Sequence, residues 1–76
     1  MKILNQFANE QDQYIYHLIS LLSEKYQNVD VLRGQWVVTF IYYLDGARME
    51  CKVKKTTIEH SIFTNKLPLT IKRLLK

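Results

Sequence analysis

The segment 36–55, WVVTFIYYLDGARMECKVKK, restricts the possible folds more than any other part of the chain. Ala47, Met49, Cys51 and Val53 alternate with Arg48, Glu50, Lys52 and Lys54, the period-two pattern of a strand with one face turned to a core. The run before it is β-branched and aromatic. Between the two lies Asp45-Gly46, a pair that tolerates the positive φ angles of a type I′ hairpin turn. A two-residue turn there sets the register: Leu44 opposite Ala47, Tyr42 opposite Met49, Phe40 opposite Cys51 and Val38 opposite Val53, all on one face. The other face then carries Tyr43 with Arg48, Ile41 with Glu50, Thr39 with Lys52 and Val37 with Lys54. Turn chemistry and hydrophobic pattern agree, and a slip of one residue would turn the whole apolar set to solvent.

Upstream, Arg33-Gly34 predicts a second hairpin. A two-residue turn at that pair sets Val31 against Trp36 and Val29 against Val38 on the same inner face, with 29–32 as an edge strand. Arginine pays a steric cost at positive φ, so a longer or bulged turn is the alternative. Over 9–27 the period is helical. Ile15, Leu18, Ile19, Leu22 and Tyr26 form one stripe, which Tyr14 and Leu21 widen. Asn9 is placed to cap this helix, Asp12 complements its positive end, and Leu4, Phe7 and Ala8 fall on the same face as a possible extension. After the third strand, Thr56 and Glu59 fit a capping box, and Ile58, Ile62 and Phe63 supply a short apolar face. Asn65 can stop that helix. Pro68 forbids its continuation but suits the first turn of a new one, in which Leu67, Ile71, Leu74 and Leu75 oppose Lys66, Lys72, Arg73 and Lys76. The expected fold is α+β, a single small domain over residues 1–76. Its order is α-β-β-β-α: a three-stranded antiparallel meander packed on the N-terminal helix, with a short C-terminal helical segment broken at Pro68.

Seventy-six residues allow one marginal core. Cys51 is the sole cysteine, so neither an internal disulfide nor a cysteine zinc cage can form within one chain. In the predicted register it points inward as a core residue. No stretch approaches the length needed to span a bilayer and no apolar leader region is present, so a cytoplasmic protein that does not engage membrane is expected. His17 and His60 have no metal-ligand or triad spacing around them. Gly34 and Gly46 belong to turns, not to a phosphate-binding loop, and the carboxylates are scattered. A non-enzymatic protein without metal, cofactor or small-molecule substrate is expected.

Charge is unevenly placed. Residues 1–47 hold three lysines and arginines against five acids, net −2, whereas 48–76 hold eight against two, net +6. The basic half favours an anionic partner, nucleic acid or an acidic protein surface, although such a face also serves solubility. Arg48, Lys52, Lys54, Lys55, Lys66, Lys72, Arg73 and Lys76 are the candidate nucleic-acid contacts, the lysines for phosphates and Arg48 for a base edge. Val37, Ile41 and Tyr43 form a second candidate surface. They are apolar on the face where a one-sided sheet is polar, so residues 67–75, a second copy in a homodimer, or a foreign protein should cover them.

The α-β-β-β-α order resembles the double-stranded-RNA-binding fold, which the HicA-type mRNA-cleaving toxins share, with Gly34, the Asp45-Gly46 turn and the terminal IKRLLK placed roughly as in those toxins. The resemblance implies RNA binding or RNA cleavage. The toxins rely on a histidine in the sheet, whereas residues 36–55 contain none, and Lys54-Lys55 echoes the basic helix start of the dsRNA-binding domains. The leading expectation is a nucleic-acid-binding regulator or accessory factor acting through the basic C-terminal half. Its rival is a small inhibitor or adaptor of the phage or mobile-element kind, binding a host protein through the outer sheet face.

Overall fold

The structure, a computed structural model, describes residues 10–76; Asn9 and the proposed helix extension through Leu4, Phe7 and Ala8 lie outside them. Three strands, β1 (Gln27–Arg33), β2 (Val37–Leu44) and β3 (Ala47–Lys54), follow α1 (Glu10–Ser23) and precede α2 (Lys55–Thr64) and α3 (Leu69–Leu74). The sheet is an antiparallel meander in the order β1-β2-β3.

All eight expected β2–β3 pairs form, from Leu44 with Ala47 to Val37 with Lys54. Asp45 at φ 53 and Gly46 at φ 82 give the turn the two positive angles it requires. On the inner face Val38, Phe40, Tyr42 and Val53 are buried, and Cys51 is half-buried against the core. Leu44, Ala47 and Met49 near the turn are exposed, so the hairpin tip lies outside the core.

The β1–β2 hairpin departs from expectation. Arg33 pairs with Val38 and Val31 with Phe40, and the Gly34 N–H donates to the Val37 carbonyl at 2.9 Å, so the turn is centred on Gln35-Trp36. Relative to the expected pairing the strands are displaced by an even number of residues. Val31 therefore keeps its inward face, whereas Trp36 leaves the sheet interior and is 73% exposed. Farther along, Gln27 pairs with Tyr43 and Asp30 with Ile41, so Asn28 and Val29 together face Tyr42 in a bulge. Asn28 takes the left-handed conformation there, at φ 53, one of the few conformations asparagine adopts more readily than other side chains.

Helix α1 presents Ile15, Leu18 and Leu22 to the sheet. It stops at Ser23, short of Tyr26, and the Tyr26 N–H still reaches the Leu22 carbonyl at 2.8 Å in the turn that follows. Tyr26 keeps its place on the apolar side, its ring 4.6 Å from that of Tyr42. Helix α2 begins at Lys55, before the expected cap. No side chain caps it, and Glu59 instead accepts a hydrogen bond from Gln11 Nε2 at 2.8 Å, so the Thr56–Glu59 capping box does not form. Asn65 at φ 59 ends it as expected. Ile58 is buried, but Phe63 is 88% exposed and contributes nothing to the expected apolar face. Pro68 immediately precedes α3, whose Ile71 is buried while Lys72 and Arg73 face outward.

Ile15, Leu18, Leu22, Ile58 and Ile71 join Val38, Phe40 and Val53 in one cluster, so all three helices pack on the inner face. Fully burying a side chain of this size stabilises a fold by about 1.5–3 kcal/mol, which makes this cluster the main support of a chain so short. Residues 67–75 belong to the inner layer and do not cover the outer face.

Candidate functional site

The outer sheet face follows from the register. Its central row runs Asp30, Ile41, Glu50, flanked by Leu32, Thr39, Lys52 on one side and Gln27, Tyr43, Arg48 on the other, with Val37 beside Lys54 at the end. Ile41 is only 7% exposed, and Val37 and Tyr43 are half-buried. This leaves less open apolar surface than the sequence pattern implies. The tyrosines offered as contact material are also largely committed: Tyr42 is buried, Tyr14 and Tyr26 pack against the core, and Tyr16 stands out at 59% exposed. Burial raises the Tyr14 and Tyr42 phenols above the ordinary value, and a hydrogen bond to Ser61 partly offsets the effect at Tyr14.

The eight candidate basic residues separate into neighbourhoods. Lys52 and Lys54 alternate on β3 and are exposed on the outer face, opposite Thr39 and Val37. Two hollows meet at Lys52. One, of about 420 Å³, lies under the β1–β2 turn, lined by Leu32, Arg33, Gly34, Gln35, Trp36, Val37, Thr39 and Lys52. The other, of about 320 Å³, is lined by Lys52, Val53, Lys54, Thr57, Leu69 and Thr70. Among the described residues no carboxylate lines either. The ladder continues one residue past β2, because the Lys55 N–H donates to the Trp36 carbonyl at 2.9 Å and fixes the turn to the start of α2. Lys55 itself is half-buried there.

Lys72 and Arg73 lie on the open arc of α3, the helix whose first residues, Leu69 and Thr70, border the second hollow. The rest lie elsewhere. Arg48 is held 2.6 Å from Glu50, which satisfies part of its guanidinium. Lys66 sits against α1, its carbonyl accepting the Tyr14 hydroxyl at 3.3 Å beside His17 and Leu21. Lys76 offers its carbonyl to the Lys25 ammonium, a cation from the acidic half that lies 5.6 Å from the Tyr26 ring centre. Among the described residues the ion pairs are Arg33–Asp12 and Arg48–Glu50, so Lys52, Lys54, Lys72 and Arg73 present unneutralised charge.

His17 and His60 are both exposed, on α1 and α2, and among the described residues no group of three or more His, Cys, Asp or Glu is placed to hold a metal ion. No described helix is long and apolar enough to cross a membrane. Burial raises the Cys51 thiol above its ordinary value, partly offset by a hydrogen bond to Thr70. That is the opposite of the shift that activates a nucleophilic thiol.

Sequence reasoning missed Trp36, Leu32 and Leu69 as surface residues. The weakness of Arg33-Gly34 as a turn was the available sign that Trp36 could fall in the loop. No protein-family model, curated protein or solved structure matches the chain.

Proposed function

We propose that the protein is a non-enzymatic nucleic-acid-binding module whose contact surface centres on the outer side of the β3–α2 junction and extends along α3. The observation that supports this reading is the placement of Lys52 and Lys54, exposed and unneutralised, beside two hollows that no carboxylate lines. Lys72 and Arg73 add two exposed cations on the adjoining helix. Lysine ammonium groups contact phosphates without reading sequence, and the counterions they displace make binding strongly salt-dependent. A regulator or accessory role fits a chain that supplies affinity and takes its specificity from elsewhere.

The test is a mobility-shift titration with DNA and RNA. Affinity should fall steeply between about 50 and 200 mM salt, and the double reversal Lys72→Glu/Arg73→Glu should weaken it. If neither nucleic acid shifts at the lower salt, the reading is wrong.

A further inference from the structure

We propose that the site takes an unpaired strand, with Trp36 as the platform on which a base stacks and Lys52 and Lys54 as the phosphate contacts beside it; this rests on the nucleic-acid reading above. Trp36 is placed as a stacking residue is and as a core residue is not. The residue is 73% exposed, yet its carbonyl accepts the Lys55 N–H at 2.9 Å, so the ring is offered to solvent from a tethered backbone. A large aromatic side chain in a turn contributes nothing to the core cluster, of which Trp36 is not a member. Its hollow and the second one share Lys52 in their linings, so the aromatic surface lies beside Lys52 and Lys54, with Leu69 and Thr70 at the far edge of β3.

Charge and shape together choose the ligand. A surface with cations and no carboxylate attracts a polyanion, and apolar walls on either side of the cations suit a polyanion that carries flat apolar groups of its own. Single-stranded nucleic acid meets both demands, since each unpaired base has an exposed π-face. A duplex hides those faces and would use only the lysines. The hydroxyls of Thr39 and Thr57 beside the lysines can hydrogen-bond sugar or phosphate oxygens.

Trp36 is the single tryptophan of the chain, so its emission reports on this site in the unaltered protein. The experiment titrates the protein at about 50 mM salt with end-labelled oligodeoxythymidylate, oligouridylate and a mixed-sequence DNA duplex, following tryptophan fluorescence and label anisotropy. Both single strands should quench Trp36. Trp36→Ala should weaken single-strand binding roughly 5- to 150-fold, the worth of one base stacked on an aromatic ring, while Trp36→Phe keeps most of it. Lys52→Glu should weaken both single-strand and duplex binding. Binding without quenching, equal affinity for duplex and single strand, or full affinity in Trp36→Ala would overturn the stacking site and leave the general reading standing. Absence of binding to all three ligands would overturn both.

Discussion

Phe40 and Cys51 are opposite each other across the β2–β3 ladder on the inner face, Phe40 fully buried and Cys51 only partly. The pair marks where the core ends along the sheet. Beyond it on that face only Tyr42 stays buried while Leu44, Ala47 and Met49 at the hairpin tip are exposed, and beside it α3 brings Thr70 to the Cys51 sulfur.

That position has a pH consequence. Burial raises the thiol pKa in the folded chain, so the fold favours the protonated form. The associated stability is fully present below the unfolded thiol value of about 8.5 and is lost as pH rises through the higher folded value. Thermal unfolding should therefore show a stability loss at alkaline pH that is smaller in Cys51→Ala. A thiol-titration midpoint at or below that of a free cysteine would contradict the placement.

The two glycines should fail for different reasons. Gly46 has φ 82 with open space around its Cα, whereas a Cβ on Gly34 would lie 2.9 Å from the Val37 carbonyl oxygen. Gly46→Ala should cost about 1–2 kcal/mol through backbone conformation alone, and Gly46→Asn should recover part of it. At Gly34, asparagine should be no better than alanine, because the obstacle is contact. Denaturant midpoints of the four variants decide the matter.

Tyr26 ties the end of α1 to the C-terminus, its hydroxyl donating to the Leu74 carbonyl at 2.8 Å. Tyr26→Phe keeps the ring against Tyr42 and removes only that bond, for a cost of about 1 kcal/mol. Hydrogen exchange should quicken in α3 and remain unchanged in β2. A uniform loss of protection would mean that α3 is no separate unit.

On the proposed single-stranded ligand, Lys52→Ala and Lys54→Ala should each lower the slope of log affinity against log salt by about 0.7. Arg48→Ala should leave it nearly unchanged, since Glu50 already engages that guanidinium. A larger slope change from Arg48 than from Lys52 would move the contact surface to the hairpin tip.

The β2–β3 register was legible because both of its determinants are local: Asp45-Gly46 admits one turn geometry, and the alternation on either side admits one inward face. The apolar faces of α1 and α3 were legible for the same reason, as were the stops at Asn65 and Pro68. The sequence also identified Lys52 and Lys54 as exposed cations, because their partners on the alternating strand had to be the buried ones. Tertiary structure decided the rest. The β1–β2 pairing depends on how Val31 seats beside Phe40 and on a bulge that Asn28 permits, and the resulting turn carries Trp36 out of the sheet. Ile58, Ile71 and the α1 stripe fill the inner face between them, and with that space taken Phe63 and Leu69 stay in solvent. Where such residues go is settled by competition for one limited buried surface, which no local pattern records.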